Sequence, residues 1–276
     1  MHIKPDESQP LIGVDFSSAP NARKPIAMAM GRRHGAVVRL DGLSAFASLP
    51  AFGEWLARPG PWLGGFDFPF GLPRELVAAL GWPLEWSALI ERYAAMTRAE
   101  IRTSFAAFCD ARSVGGKFAH RACDGPAGSS PSMKWVNPPV AFMLHAGVPL
   151  LVAAGVDLPG LQPGDPSRVA LEAYPGLLAR ELLGRRSYKA DDAARQTPER
   201  LIARKDLVDA LEQGRSQRLG LRLKLSHAQR DELVADASGD RLDAVLCLMQ
   251  AAWALGRPNH GWPAEVDPLE GWILSA

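Results

Sequence analysis

At 276 residues the chain is long enough to bury a sizeable core as one elaborated domain or two small ones. Its 31 basic and 30 acidic side chains nearly cancel, so bulk charge singles out neither a nucleic acid nor a membrane as partner. Cys109, Cys123 and Cys247 are odd in number, widely spaced and without a Cys-x-x-Cys, which indicates neither a disulfide framework nor a zinc cluster.

Local charge is less even. From Arg180 to Arg230 there are 13 Lys and Arg against 7 Asp and Glu, consistent either with solvated amphipathic helices or with a phosphate-facing surface. No apolar run reaches the ~18 to 20 residues that span a bilayer. The segment Met1-His2-Ile3-Lys4-Pro5-Asp6-Glu7 lacks the apolar stretch of a signal peptide. The expected setting is reducing and cytoplasmic, with no membrane partner.

In chain order, residues 11–18 read as a first strand. Segments 25–30 and 36–40, joined by the polar turn 31–35, complete an antiparallel meander. Ser44 is placed to cap a helix carrying Phe46, Leu49, Phe52, Trp55 and Leu56, which stops near Pro59-Gly60-Pro61. Residues 62–68 are a fourth strand, reached by a helical crossover and so expected to run parallel to the first. Residues of about 74–166 show helical periodicity and little strand character. They read as a helical insertion, with the loop-like segment 123–132 as a mobile flap. A fifth strand is expected over 168–174, helices over 177–183 and 201–211, and an ambiguous segment over 219–225. A final helix over about 240–255 stops at Gly256 with Pro258 beyond it. The pattern is a mixed α/β single domain over 1–276.

The chemistry is concentrated in carboxylates at apparent strand ends. Asp15 follows Leu11-Ile12-Gly13-Val14, Asp67 follows Gly64-Gly65-Phe66, and Glu172 follows Val169-Ala170-Leu171; Asp243 sits near the start of the final apolar helix. An ionised carboxylate among aliphatic neighbours is costly without a compensating partner. In open α/β sheets, ligands gather at the carboxyl ends of strands. A shared hard cation, Mg²⁺ or Mn²⁺, is the simplest partner, and Asp15, Asp67, Glu172, Asp240 and Asp243 are the candidate ligands. Two such ions ~4 Å apart can activate a water and stabilise the leaving oxygen of a phosphodiester. Each residue also has a plainer reading. Asp15 and Asp67 suit turns, and Asp240 as N-cap with Asp243 at N3 suits a helix start. Glu172, a poor turn former, has the weakest such alternative.

For phosphate contact, Arg121, Lys134 and Lys189 stand out, with surface charge or ion pairing as the alternative. Asn137 before Pro138-Pro139 suits a turn. The six histidines show no metal-binding spacing, and His120 alone is placed to be tested as an acid or base.

The segments Gly13-Val14-Asp15-Phe16-Ser17, Gly65-Phe66-Asp67-Phe68-Pro69-Phe70-Gly71, Val136-Asn137-Pro138-Pro139-Val140, Leu171-Glu172-Ala173-Tyr174-Pro175 and Asp240-Arg241-Leu242-Asp243-Ala244 resemble the family called domain of unknown function 429. Its members are predicted nucleases of the ribonuclease H-like fold. The likeness covers nearly the whole chain in the expected motif order. It implies a five-stranded mixed sheet, with acidic metal ligands on the first strand, the fourth strand and the last helix. The helical Asp240-x-x-Asp243-Ala244 also looks like that of Holliday-junction resolvases of this superfamily. Glu172 departs from that pattern by lying on a strand after a long insertion.

The leading expectation is a Mg²⁺- or Mn²⁺-dependent hydrolase of DNA or RNA phosphodiesters, with Asp15, Asp67, Glu172 and Asp243 catalytic. One alternative is an ATP- or phosphate-binding protein of the sugar-kinase and actin-like branch, because Asp15-Phe16-Ser17-Ser18 is similar to a phosphate-binding first hairpin. Another is a non-catalytic binding module of the same fold. DNA versus RNA, strandedness, the mode of cutting and the oligomeric state are left open by the sequence.

Overall fold

The computed structural model describes residues 9–276. The segment from Met1 to Glu7, on which the reading of the N-terminus rests, lies outside them. Strands β1 (Leu11–Asp15), β2 (Ile26–His34) and β3 (Val37–Phe46) form the expected antiparallel meander. Helix α1 (Leu49–Leu56) then crosses over to β4 (Trp62–Phe66), which lies parallel to β1. The insertion follows as α2 (Arg74–Ala79), α3 (Trp86–Ala95), α4 (Arg98–Asp110), α5 (Asp124–Ala127), α6 (Val140–Ala153) and the short strand β5 (Val156–Asp157). Strand β6 (Asp165–Glu172), helices α7 (Pro175–Leu183) and α8 (Pro198–Glu212), strand β7 (Arg222–Lys224), and helices α9 (His227–Ala235) and α10 (Asp240–Leu255) follow, and the remaining residues to Ala276 pack Leu269, Ile273 and Leu274 into the interior.

The sheet has seven strands in the order β5-β6-β4-β1-β2-β3-β7, not five. The additions are both edges. β5 pairs with β6 inside the region expected to be helical, and β7 resolves the ambiguous segment 219–225 as a strand against β3. Segments this short carry too few residues for alternation to register, and the pairing partner decides them. Two helix starts also differ from expectation. Ser44 lies within β3, and the cap of α1 is Ser48, whose Oγ accepts from the Ala51 amide. Gly239, in the left-handed region at φ 78°, is the N-cap of α10, so Asp240 is the first helical residue and not the cap.

Each face of the sheet carries its own core. Ile12, Val14, Phe66 and Ala170 face α1 and the insertion. Leu11, Leu63, Val169 and Leu171 face α7, α8 and α10. This two-residue alternation sorts the strand-end carboxylates. Gly13 and Asp15 share the face of Leu11; Gly65 and Asp67 share that of Leu63. The α10 backbone crosses directly over the two glycines. A Cβ on Gly13 would lie 2.1 Å from the Ala244 carbonyl oxygen, and one on Gly65 would lie 2.6 Å from that of Cys247. Glycine is required by this close approach, and the approach carries the first turns of α10 to the carboxyl ends of β1 and β4.

Candidate functional site

At that end of the sheet lies a pocket of about 580 Å³ whose walls include Asp15, Asp67, Glu172, Lys189 and Asp240. Its rim is formed by the β1–β2 connection (Ser17, Ser18, Lys24) and by Ser129, Pro138 and Asp191. Phe16 and Phe68, just beyond β1 and β4, and Val140 and Met143 of the insertion's α6 give it an apolar side.

Register decides which carboxylates meet. The Asp67 amide donates to the Val14 carbonyl at 2.9 Å, which sets Asp67 beside Asp15. Phe66 is the register partner of Glu172, so the residue level with Asp67 on the α10 face is Ala173. Glu172 is offset by one residue and points to the opposite face. There it meets Arg121: Nη1 donates to Oε2 and Nη2 to Oε1, each at 2.7 Å, and the Phe70 amide donates to Oε2 at 3.0 Å. Arg121 also donates from Nε and Nη2 to Asp124 Oδ1 and from Nη1 to the Glu270 carbonyl. A buried bidentate pair of this kind holds Glu172 in place and leaves Arg121 engaged with protein groups. The segment 123–132, expected to be a flap, carries α5, and its Asp124 and Ser132 are buried.

On the α10 face Asp15, Asp67 and Asp243 form one electrostatic group. Burial, then the nearby Asp243 charge, raises the Asp15 pKa well above the ordinary carboxylate value, against the opposing pull of Lys189. The same causes push Asp67 up to about 7, opposed by Lys189 and by a hydrogen bond with Asp15. Asp240 is raised chiefly by burial, with Lys24 opposing. Asp243 is fully buried, and both its oxygens have donors: the Tyr188 hydroxyl donates to Oδ1 and the Lys189 ammonium to Oδ2. Burial works against the Lys189 charge, yet Asp243, Tyr188 and Asp15 hold its pKa well above the usual lysine value. Lys134 and His120 do not line the pocket, and His120 is exposed.

The donor set Asp15, Asp67 and Asp243, with Asp240 at the edge, consists of carboxylate oxygens alone, as a hard divalent ion prefers. Among the described residues, however, no three His, Cys, Asp or Glu side chains stand in a ready ligating arrangement. The cation at Asp243 is the Lys189 ammonium.

Tyr188, Lys24, Asp191 and Asp124 were not picked out from the sequence. The length of the connection between β1 and β2 was a usable signal for Lys24, since such a loop must border the carboxyl end of β1. No spacing pointed to the other three. Among the described residues no helix is long and apolar enough to cross a membrane. Comparison with family models, curated proteins and solved structures finds no match to this chain.

Proposed function

We propose that the chain is a Mg²⁺- or Mn²⁺-dependent nuclease of the ribonuclease H-like fold, acting on DNA or RNA in a reducing, cytoplasmic setting. The observation that carries this reading is the meeting of Asp15 and Asp67, from two parallel strands, in one pocket at the strands' carboxyl ends, with the buried Asp243 of α10 close enough behind them to raise both their pKa values. The central order β3-β2-β1-β4-β6, with β2 antiparallel to its neighbours, supports the fold assignment. So does the motif likeness to domain of unknown function 429. The three cysteines of the described residues are free and buried, in keeping with the setting.

Asp15, Asp67 and Asp243 would hold the ions, with Asp240 as an edge ligand. Bound there, the ions would supply charge neutralisation at the scissile phosphate and lower the pKa of an attacking water. Glu172, fixed by Arg121, fastens the end of β6 and keeps the carboxylate wall rigid. Phe16, Phe68, Val140 and Met143 exclude water from one side and offer an apolar surface to a base or sugar. Lys189 stands close enough to face a phosphate once it leaves Asp243.

Cleavage of single- and double-stranded DNA and RNA, assayed with Mn²⁺ or Mg²⁺ and with a chelator, tests the reading. Activity is expected only with the ion, and Asp15→Asn is expected to lower the rate at least about a hundredfold, the range for loss of a group that stabilises transition-state charge. Cleavage that survives chelation or Asp15→Asn would overturn it.

A second reading has one observation in its favour. Ser17 and Ser18 line the pocket, whose volume lies in the range of small-molecule sites. This suits an ATP- or phosphate-binding protein of the sugar-kinase and actin-like branch. A thermal shift with ATP and no nucleic-acid cleavage would favour it.

A further inference from the structure

Lys189 follows Tyr188 on the connection between α7 and α8, and the backbone of this segment is tied down on both sides. The Tyr188 carbonyl accepts from Arg204 Nη1 at 2.9 Å, and the Ala190 amide donates to the Ala237 carbonyl at 3.1 Å. The side chain leaves this fixed point over Gly239, where an added Cβ would come within 2.7 Å of the lysine Cβ. It ends with its ammonium on Asp243 Oδ2 while Tyr188 takes Oδ1. The carboxylate is wholly buried, but the lysine side chain is 43% exposed. Its anchor is fixed, and its head group has room to swing on four methylenes into the pocket it already lines. Lys189 is also the charge that opposes the repulsion at Asp15 and Asp67, and at Asp240 it adds to the larger effect of Lys24.

We propose that Lys189 is a built-in counter-cation: its ammonium fills the cation position of the Asp15, Asp67 and Asp243 group in the metal-free protein, and a divalent ion enters by displacing it. This rests on the metal-site reading above. The carboxylate cluster can then fold without metal, because a single positive charge is always within reach. Ion binding must replace an existing contact, so the intrinsic affinity of the carboxylates is reduced by the competition. Displacement also turns the ammonium toward the pocket, so one event creates the metal site and frees a cation for the substrate phosphate.

Calorimetric titration of Mn²⁺ into the wild-type protein and Lys189→Met, with thermal unfolding in chelator and in Mn²⁺, tests this. Lys189→Met is expected to bind Mn²⁺ at least about tenfold tighter. It is also expected to melt lower than wild type in chelator and to regain most of the difference in Mn²⁺. A role confined to packing would lower the melting temperature without tightening the metal. Wild type and variant binding Mn²⁺ equally, or the variant binding it more weakly, would overturn the proposal while leaving the metal site standing. Binding to neither would overturn both. A measurement on the wild type alone avoids dependence on the variant's folding. Acetylation of Lys189 by a water-soluble anhydride, read by peptide mass spectrometry, is expected to rise severalfold on adding Mn²⁺. An unchanged or lower yield would count against displacement.

Discussion

Asp67 sits beside Asp15 and close to Asp243, and burial first, then the Asp243 charge, pushes its pKa up to about 7. Its carboxyl titrates near 3.8 when unperturbed and at about 7 in the fold, so between those values the folded chain binds a proton that the unfolded chain has lost. The linked stability is therefore fully present below the unfolded value and disappears as pH rises through about 7. In chelator, wild-type stability relative to Asp67→Asn is expected to fall by about 1 kcal/mol or more between pH 5 and pH 7.5. Urea unfolding of both proteins across that range checks it, and parallel pH curves would show that Asp67 is not protonated in the fold. The contrast with Glu172 is instructive. Burial raises its pKa too, but the Arg121 guanidinium opposes the rise at bonding distance, and the charge has its own partner. A carboxylate at the same end of the sheet thus has a different role because its side chain lies on the other face.

The arrangement of elements depends on how closely α10 approaches β1 and β4. Gly13 and Gly65 each stand two residues before an aspartate, and the alternation of a strand places each glycine and its aspartate on one face. The helix backbone rests on the glycines, and its Asp243 falls level with the aspartates. In Gly13→Ala the new Cβ would lie 2.1 Å from both the Ala244 carbonyl oxygen and the Leu248 nitrogen, backbone atoms that cannot rotate aside. The expected cost is about 3 kcal/mol or more, the upper range for overpacking, together with a weakened Mn²⁺ site as α10 is lifted. Chemical denaturation measures the first part. A loss below about 0.5 kcal/mol, typical of an unconstrained surface position, would contradict the close crossing. Helices α4 and α9 show the opposite case, where local chemistry suffices. Thr97 with Glu100, and Ser226 with Gln229, form complete capping boxes that fix their starts.

Across the whole molecule the basic surplus of residues 180–230 does not form a free phosphate track. Arg186 pairs with Asp206, Arg230 with Asp209 and Glu212, and Arg195 with Asp192. Arg180 and Arg204 donate to backbone carbonyls. At the pocket, Lys24 pairs with Asp191 at 2.5 Å, and Lys189 is on Asp243. Arg185, Lys205, Arg222 and Lys224 are exposed but do not line the pocket, so few cations stand free at the pocket itself to displace counterions from a nucleic acid. Binding of a single-stranded oligonucleotide, followed by fluorescence anisotropy over a salt series, is therefore expected to show a log–log slope of only about −1 to −2. A slope of about −5 or steeper would mean that an extended basic surface engages the backbone. A shallow slope is what a pocket admitting one or two nucleotides produces.

Sequence alone determined the central strands, the crossover, the final helix and the aspartates at strand ends, because each rests on short-range periodicity and on turn residues that act within a few positions. It also carried, in Gly13-x-Asp15 and Gly65-x-Asp67, the marks of a close helix crossing. Only the tertiary structure decided that Ala173 and not Glu172 lies level with Asp67, that Arg121 belongs to Glu172, and that Lys189 sits on Asp243. Those outcomes depend on the register between strands separated by the whole insertion and on a connection folding back over the sheet. Pairing over such distances is set by the packing of the complete chain, not by the residues on either side of it.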